Sequence, residues 1–338
     1  MRIIVDAMGG DNAPEEIIKG CISALEMVGS EIVLVGKSQV IEGYLNKFRC
    51  KDSRISVLNA DEVIENEDVP TKAIKTKKNS SMVVGLNLVK DGKGDAFLSA
   101  GNTGALMTGA LLIVGRMKGV DRPALAPIIP TYNGKVLIVD GGSNSNCKPE
   151  NLLQFAIMGN IYMKTTFGVE NPRVGLVNIG TEEMKGNELA KSTFALLKES
   201  GLNFVGNIEG RDIPMGNVDI AVCDGFVGNV ILKVVEGMGK VFSKMLKEEV
   251  SATLLSKIGG LFLLPTFKRF KQRMDYTEYG GALYLGLEKP VIKCHGTSKE
   301  AAIKYSIIQA ENFVNNKTVE KIRENLTFKE EKNIEPDR

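Results

Sequence analysis

Short runs of valine, isoleucine and leucine alternate with longer helical patterns through most of this chain. Eight of the runs have the length and composition of strands, at residues 3–5, 32–35, 55–58, 96–98, 136–139, 174–177, 204–205 and 218–222. Continuous apolar runs of this kind are typical of strands buried on both faces of a parallel sheet. Because strand–helix alternation implies right-handed crossovers, we predict an α/β fold, a three-layer αβα Rossmann-like sandwich with a mostly parallel sheet.

Helical patterns occupy six of the intervals, at residues 14–28, 80–89, 105–116, 149–164, 187–199 and 227–250. Pro14 and Pro149 stand where the first turn of a helix tolerates proline. We expect a single α/β catalytic domain over residues 1–328, with a helical excursion at about 240–275. The charged segment 329–338 is expected to be a frayed tail.

The composition excludes several classes of protein. Hydrophobic residues make up 43% and charged residues 25% of the chain, and the formal net charge is only +2, so no nucleic-acid partner is expected. None of the five cysteines forms a C-x-x-C pair, which argues against a disulfide framework or a zinc site. The chain enters a strand pattern at once, without a signal peptide, and lacks the run of about 20 apolar residues that a membrane span needs. We therefore expect a cytoplasmic location.

Glycine- and asparagine-rich turns follow five of the predicted strands, at residues 6–12, 99–104, 140–144, 178–182 and 223–229. Since the carboxyl ends of parallel strands meet at one edge, we expect these turns to converge where open α/β sheets bind ligands. Glycine lets backbone N–H groups approach a ligand, and helix N-termini attract anions. A single turn of this type is more often a structural cap, but five together favour a phosphate-binding cleft.

The candidate phosphate- and substrate-binding residues carry amide, hydroxyl, imidazole, carboxylate or exposed backbone groups in these turns. They are Asn102, Thr103, Gly142, Ser143, Asn144, Gly180, Thr181, Asp224, Gly225 and His295. His295 is the only histidine, and a structural role for it stays open. Whether Asp6, Asp140 and Asp224 act on substrate or only shape turns is also left open.

Lys185 directly follows the turn at 178–182 and offers a cation to phosphate or to a developing oxyanion. The alternative is a solvated loop lysine. The chain has no G-x-G-x-x-G after the first strand, no P-loop and no G-x-S-x-G elbow. No nucleophile–base pair stands out, which favours a reaction in which a bound substrate attacks and the protein positions it. We expect no cofactor and no metal.

The same turns carry a family resemblance. Residues 5–11, 99–105, 140–144, 178–182, 209–212 and 224–229 strongly resemble blocks of the bacterial phosphate acyltransferase family of phospholipid synthesis, in order along the chain. The resemblance implies that orthophosphate attacks the thioester of a long-chain acyl carrier protein, giving acyl phosphate and the carrier thiol. Glycerol-3-phosphate acyltransferase would use the acyl phosphate next.

The resemblance also implies roles for individual residues and for the assembly. Lys185 and Asn229 match the positions thought to serve catalysis in the family. The family fold is similar to phosphate acetyltransferases and isocitrate-dehydrogenase-type enzymes, and its members are typically homodimers. Peripheral association with the cytoplasmic membrane is a further implication.

The excursion at 240–275 combines an apolar segment with cations. Gly259-Gly260 is expected to interrupt the helical pattern, and residues 261–265 to form an apolar tip followed by alternating phenylalanines and cations. This favours a helical hairpin that contacts an anionic membrane. The candidate contact residues are Leu254, Ile258, Leu261, Phe262, Leu263 and Leu264. Burial in a dimer interface and docking of the acidic carrier protein are alternatives.

Three other functions stay open from the residues. A phosphate acetyltransferase-like enzyme would use a coenzyme A thioester on a similar fold. A metal- and NAD-dependent decarboxylating dehydrogenase would use aspartates such as those at the strand ends. A non-catalytic membrane scaffold would bind lipid without turnover.

Overall fold

The computed structural model describes residues 1–273 and 276–332, with side chains over residues 1–270 and 278–326. The described strands are β1 (Arg2–Asp6), β2 (Glu31–Gly36), β3 (Ile55–Asn59), β4 (Ala96–Ser99), β5 (Ala124–Ala126), β6 (Ile128–Thr131), β7 (Gly134–Val139), β8 (Val174–Asn178), β9 (Phe204–Glu209), β10 (Ile220–Val222), β11 (Ala282–Leu285) and β12 (Val291–Lys293). They confirm an α/β fold with mostly parallel strands and flanking helices.

The described α-helices are α1 (Glu15–Ala24), α2 (Ser38–Lys47), α3 (Pro70–Thr76), α4 (Ser81–Lys90), α5 (Thr103–Gly109), α6 (Pro149–Phe167), α7 (Glu188–Lys198), α8 (Gly225–Ser251), α9 (Leu254–Arg273), α10 (Glu300–Asn315) and α11 (Thr318–Lys332). A π-helical turn, Ala110–Val114, extends α5, and a 3₁₀ turn covers Tyr276–Tyr279. Of the predicted tail, residues 329–332 belong to α11 and residues 333–338 lie outside the described chain.

The strands divide between two sheets. The first has the order β3-β2-β1-β4-β12-β11-β5, in which only β11 runs antiparallel to its neighbours. The second has the order β6-β7-β10-β8-β9, in which β6 is antiparallel to β7. The chain passes from one sheet to the other at Pro127, between β5 and β6.

The expectation that all five turns share one sheet edge is therefore wrong. The turns at 6–12 and 99–104 follow strands of the first sheet, and those at 140–144, 178–182 and 223–229 follow strands of the second. Within each sheet the strands concerned are close neighbours, so their turns do meet at one carboxyl edge: β1, β4 and β12 in the first sheet, and β7, β10 and β8 in the second.

Burial follows the apolar runs that predict the strands. Ile3, Ile4 and Val5 of β1 and Ile138 and Val139 of β7 have no exposed surface. Each such side chain contributes about 1.5–3 kcal/mol through its removal from water. Both faces of these strands are covered by helices, which accounts for the absence of a polar–apolar alternation in the sequence.

Helices α8 and α9 form the excursion, and two predicted details of it are wrong. Helix α9 runs without interruption through Gly259-Gly260 and Pro265, so residues 261–264 lie in mid-helix and not at a tip. The chain reverses at Ala252–Thr253, where the Thr253 hydroxyl accepts a hydrogen bond from the Ser256 N–H at 3.0 Å. A Cβ at Gly260 would lie 2.5 Å from a Val250 methyl, so this glycine allows α9 to pass close to α8.

None of the helices in the described part of the chain combines the length and the apolar character that crossing a bilayer would require.

Candidate functional site

The turn after β7 is organised around a buried carboxylate. Asp140 has no exposed surface, and it accepts hydrogen bonds from the N–H groups of Leu125, Gly142, Ser143 and Asn144 at 2.6–3.1 Å. The side-chain amide of Asn144 donates to it as well, at 2.8 Å. Burial raises the pKa of Asp140, and these hydrogen bonds oppose that shift. The N–H groups of this turn are thus used by Asp140 itself.

Asp6 organises the first sheet in the same way. It is 1% exposed, and it accepts hydrogen bonds from the N–H groups of Met8 and Gly9, each at 3.1 Å, and from the Ser99 hydroxyl at 2.7 Å. Burial raises the pKa of Asp6. Asp224 caps α8 by accepting the Val227 N–H at 2.9 Å. All three strand-end aspartates therefore hold turns together.

Helix α8 begins directly on the Asp140 turn, and two glycines permit this approach. The Gly225 N–H donates to the Asn144 carbonyl at 2.7 Å. A Cβ at Gly225 would lie 2.7 Å from the Asn144 nitrogen, and a Cβ at Gly228 would lie 1.9 Å from the Asp140 carbonyl oxygen. No other residue fits either position without moving the helix. Gly225 is thus a packing residue as well as a turn residue.

Asn229 follows this contact and is exposed. It stands against Gly142, whose φ of 141° favours glycine; a Cβ there would lie 3.4 Å from the Cβ of Asn229. The Ser143 hydroxyl, beside Gly142, is buried and has no hydrogen-bond partner among the described residues. The exposed Asn229 amide therefore remains available for a ligand at this turn.

One face of α8 continues from Asn229 through Lys233, Glu236 and Lys240, which lie four, seven and eleven residues further on. Lys233 and Glu236 form an ion pair at 3.1 Å. Glu236 also lies 3.9 Å from Nε2 of His295, which belongs to the turn after β12. This helix therefore links the second sheet, where it starts, to the carboxyl edge of the first.

His295 is held from the other side of its ring. Its Nδ1 is 3.2 Å from the Thr297 N–H and 2.8 Å from the Thr297 hydroxyl. Because a backbone N–H can only donate, the neutral ring carries its proton on Nε2, toward Glu236. Burial lowers the pKa of His295; Glu236 opposes this shift, and nearby lysines including Lys233 reinforce it. A neutral imidazole at neutral pH follows.

Lys293, at the end of β12, lies at the carboxyl edge of the first sheet and is not among the residues that the sequence reasoning singled out. It is 9% exposed, and its ammonium donates to the carbonyl of Cys294. Burial lowers the pKa of Lys293, while Cys294, Asp11 and Asp6 act in the opposite direction. The available signal was a cation directly after the apolar pair at 291–292, a run too short to be identified as a strand.

Lys185 lies on the turn after β8, the neighbour of β10 in the second sheet. The residue is exposed, its N–H donates to the Glu182 carbonyl at 3.1 Å, and its own carbonyl accepts from the Asn178 amide at 3.0 Å. Within the described residues no carboxylate lies within 4.0 Å of its ammonium. Gly180 is buried beneath the lysine stem, and Thr181 is exposed. Lys185 and Asn229 both lie at the carboxyl edge of the second sheet, but among the described residues they do not hydrogen-bond to each other.

Asn102 is occupied by the protein itself. Its amide oxygen accepts the Ala105 N–H at 2.9 Å, which caps α5, and its NH₂ group donates to the carbonyls of Glu65 and Asn66 at 3.2 and 3.0 Å. Thr103, the first residue of α5, is exposed. The hydroxyl of Thr103 is thus the more accessible polar group at this turn.

The six predicted membrane-contact residues, all on α9, are between 47% and 82% exposed. Leu255 and Phe270 on the same helix are exposed as well. Among the described residues, no group of three or more histidine, cysteine, aspartate or glutamate side chains is arranged to hold a metal ion.

Comparison with known proteins gives one family and one fold. The family described as "Fatty acid synthesis protein" matches residues 1–321. A protein of Thermoanaerobacter pseudethanolicus named "Phosphate acyltransferase" is 55% identical over 96% of this chain and 97% of its own length. One of the same name from Acetivibrio thermocellus is 53% identical over the whole of both chains.

Solved structures resemble the chain in fold alone. A phosphotransacetylase from Streptococcus pyogenes has a TM-score of 0.63 at 16% identity and covers 95% of this chain and 94% of its own. A 4-hydroxythreonine-4-phosphate dehydrogenase from Klebsiella pneumoniae has a TM-score of 0.52 at 14% identity, covering 92% and 98%. A protein named as a transacetylase and one named as a dehydrogenase thus share this architecture.

Proposed function

This chain belongs to the fatty acid synthesis protein family, and we propose that it transfers a long-chain fatty acyl group from acyl carrier protein to orthophosphate, giving acyl phosphate for phospholipid synthesis. The observation that carries the proposal is the junction of α8 with the Asp140 turn. There Gly225 and Gly228 bring the exposed Asn229 amide against Gly142, beside the Ser143 hydroxyl, which is buried and has no hydrogen-bond partner among the described residues. Such neutral donors suit a phosphate or an oxyanion.

The reaction needs positioning more than proton transfer. A phosphate oxygen attacks the thioester carbonyl carbon and forms the new C–O bond, and the carbonyl electrons move to its oxygen. When the tetrahedral oxyanion collapses, the C–S bond breaks and the carrier leaves as a thiolate, which takes a proton from water. Orthophosphate is already a nucleophile, so no side chain has to be deprotonated.

We assign the two catalytic roles by charge and position. Lys185 carries an ammonium without a carboxylate partner among the described residues and is suited to hold the phosphate dianion. Asn229 offers its NH₂ group to the oxyanion, assisted by the Ser143 hydroxyl. Thr103, Thr181 and the neutral ring of His295 complete the proposed substrate-binding set.

The first experiment mixes the purified protein with palmitoyl-[acyl carrier protein] and orthophosphate. Free carrier thiol and hydroxylamine-reactive acyl phosphate are measured together. Phosphate-dependent formation of both is expected. Folded protein that releases thiol without phosphate, or forms product only from acetyl-coenzyme A, would refute the carrier-dependent reaction. NADH formation from a hydroxy acid would favour a dehydrogenase instead.

We further propose that α9 contacts the cytoplasmic face of the membrane, where acyl phosphate would be used by a glycerol-3-phosphate acyltransferase. Contiguous exposed apolar surface calls for a partner, and α9 carries such surface over residues 254–264. Lys257, Lys268 and Arg269 lie on the same helix and would favour anionic headgroups. This surface suits an interfacial helix, and docking of the acidic carrier is the alternative.

Co-sedimentation with vesicles of phosphatidylcholine and phosphatidylglycerol tests the membrane contact. Leu263→Glu should reduce binding about tenfold or more, because burial of one leucine is worth about 1.5–3 kcal/mol. Leu112→Glu is the matched control, since Leu112 is also a large exposed apolar residue, 61% exposed, but belongs to the first-sheet side of the fold. Equal binding of both variants would exclude Leu263 from the contact.

A homodimer is proposed from a second apolar stripe on α8. Phe226, Val230, Val234, Met238 and Val241 recur at three- and four-residue spacing and are 44–67% exposed. A second copy of the chain covering this stripe would bury it. Val234→Glu should shift the mass measured by light scattering to that of a monomer; an unchanged mass would place any interface elsewhere.

A further inference from the structure

We propose that Lys293, together with Lys233 of α8, binds a phosphoryl group of one of the two substrates. This inference rests on the proposed function and adds a second anion site to it, at the carboxyl edge of the first sheet. Lys185 lies at the edge of the second sheet and Lys293 at the edge of the first, and α8 runs between them with Lys233 about one turn beyond Asn229.

Burial without a counter-charge is the first observation. Lys293 is 9% exposed, yet no carboxylate within the described residues lies within 4.0 Å of its ammonium. Among the described residues its one acceptor is the carbonyl of Cys294, whereas an ammonium has three N–H donors. Because buried cations are almost always paired, this position favours an anionic ligand.

The nearby acids do not supply this acceptor. The oxygens of Asp6 already accept from two backbone N–H groups and from the Ser99 hydroxyl. Asp11 accepts from the Asn66 amide at 3.3 Å, and its backbone N–H is tied to the Gly296 carbonyl at 2.8 Å. The Asp6 carboxylate is held by its own turn and by Ser99, and that of Asp11 by Asn66. They contribute attraction at a distance without a direct ion pair.

A second cation lies near the same place. Lys233, on the polar face of α8, pairs with Glu236, which in turn lies 3.9 Å from Nε2 of His295, two residues beyond Lys293. Among the described residues Lys233 forms no other ion pair. Two lysines that approach from α8 and from β12 favour an anion between them, and phosphoryl oxygens can accept from several ammonium groups at once.

The turns around this position are built rigidly. Asn12 donates its amide to the Thr297 and Ser298 carbonyls at 3.1 and 3.3 Å, which fastens the turn after β12 to the turn after β1. A Cβ at Gly10 would lie 2.9 Å from the Ala100 Cβ, so the turn after β4 packs against both. Lys293 is therefore fixed in a preformed cradle.

The phosphoryl group has two possible sources in the proposed reaction. One is orthophosphate itself, and the other is the phosphodiester through which a carrier protein holds its pantetheine arm. Steady-state kinetics of Lys293→Met separates them. A rise of at least about tenfold in KM for orthophosphate assigns the site to the nucleophile, and the same rise in KM for the acyl donor assigns it to the pantetheine phosphate.

Lys289→Met is the matched control, because Lys289 precedes the same strand at its opposite end. It should leave both KM values unchanged. Lys293→Arg, which keeps the charge, should lose less than Lys293→Met. If both KM values of folded Lys293→Met equal those of the wild type, the inference is overturned, even if kcat falls. Should Lys293→Met fail to fold, Lys233→Met on the exposed helix face carries the same test.

Direct binding keeps this inference separate from the proposed reaction. Orthophosphate and 4′-phosphopantetheine are added to the wild type without any acyl donor, and the thermal midpoint is followed. A rise in the wild type that is absent in Lys293→Met supports the site even if the protein shows no acyl transfer. No rise with either probe overturns the site, even if acyl transfer is observed.

Discussion

The contact between α8 and the Asp140 carbonyl allows a test of the site in which one helix supplies both the variant and its control. In Gly228→Ala the new Cβ would lie 1.9 Å from that oxygen, whereas real Cβ atoms essentially never come within 3.0 Å of another heavy atom. The start of α8 would have to retreat by about 1.1 Å, and Asn229 would retreat with it. A misplacement of about 1 Å at a reacting group can cost about a hundredfold in rate, or about 2.7 kcal/mol in barrier.

Gly237→Ala is the control for this variant. Gly237 lies on the same helix, and a Cβ there would meet nothing within 4 Å. Replacing an exposed helical glycine by alanine should add up to about 1 kcal/mol of stability, whereas Gly228→Ala should lose about 1–3 kcal/mol through overpacking. The same glycine-to-alanine change is therefore expected to raise stability at Gly237 and to lower it at Gly228.

Urea unfolding measures the stability of both variants, and phosphate-dependent release of carrier thiol measures their turnover. Gly228→Ala should lose about a hundredfold in kcat/KM, and Gly237→Ala should retain wild-type activity. If Gly228→Ala is folded and keeps wild-type kcat/KM, the contact of α8 with the Asp140 turn does not control the chemistry. The catalytic role assigned to Asn229 would then be refuted.

Three further outcomes are expected. Lys185→Ala should lower turnover at least about tenfold, or about 1.4 kcal/mol, and near-normal kinetics in folded protein would remove Lys185 from the mechanism. Asp140→Asn should destabilise the fold by about 1–3 kcal/mol in urea unfolding because it leaves buried N–H groups unsatisfied, whereas Asp224→Asn keeps an equally good cap and should change stability by only tenths of a kcal/mol. Since burial lowers the pKa of His295, the unfolded chain binds its proton first below about pH 6.5; His295→Gln should therefore lessen the loss of stability between pH 7.5 and 5.5, and an unchanged loss would contradict that shift.

The long apolar runs were sufficient to locate the strands that build the centre of each sheet. All eight predicted runs coincide with observed strands, because burial on both faces leaves an uninterrupted apolar signal. The short strands β5, β6, β11 and β12 were missed. They have only three or four residues each, and Pro127 separates the first two, so local pattern cannot distinguish them from loops.

Those missed strands explain the errors about the site. When β5 and β6 are not identified, the pattern predicts a single sheet with all five turns at one edge. Without β12, the cation that follows the apolar pair at 291–292 does not indicate a buried lysine, since burial of this lysine depends on neighbouring strands that are distant in sequence. The sequence predicts that glycines in the turns let the backbone approach a ligand. At Gly225 and Gly228 the close approach is instead between helix and turn.

Helix α8 determines how the separate groups are aligned. Its 27 residues span about 40 Å, yet its only fully buried members are Gly225 and Gly228 in the first turn. Val227, between them, and Ile231 and Val235, beyond them, pack partly against the core of the second sheet. The direction of the polar face from Asn229 to Lys240 therefore depends on the first three turns alone. Any side chain at Gly228 changes that direction, and the displacement at Glu236, which faces His295, exceeds the displacement at Asn229 because the error grows with distance along a rigid helix.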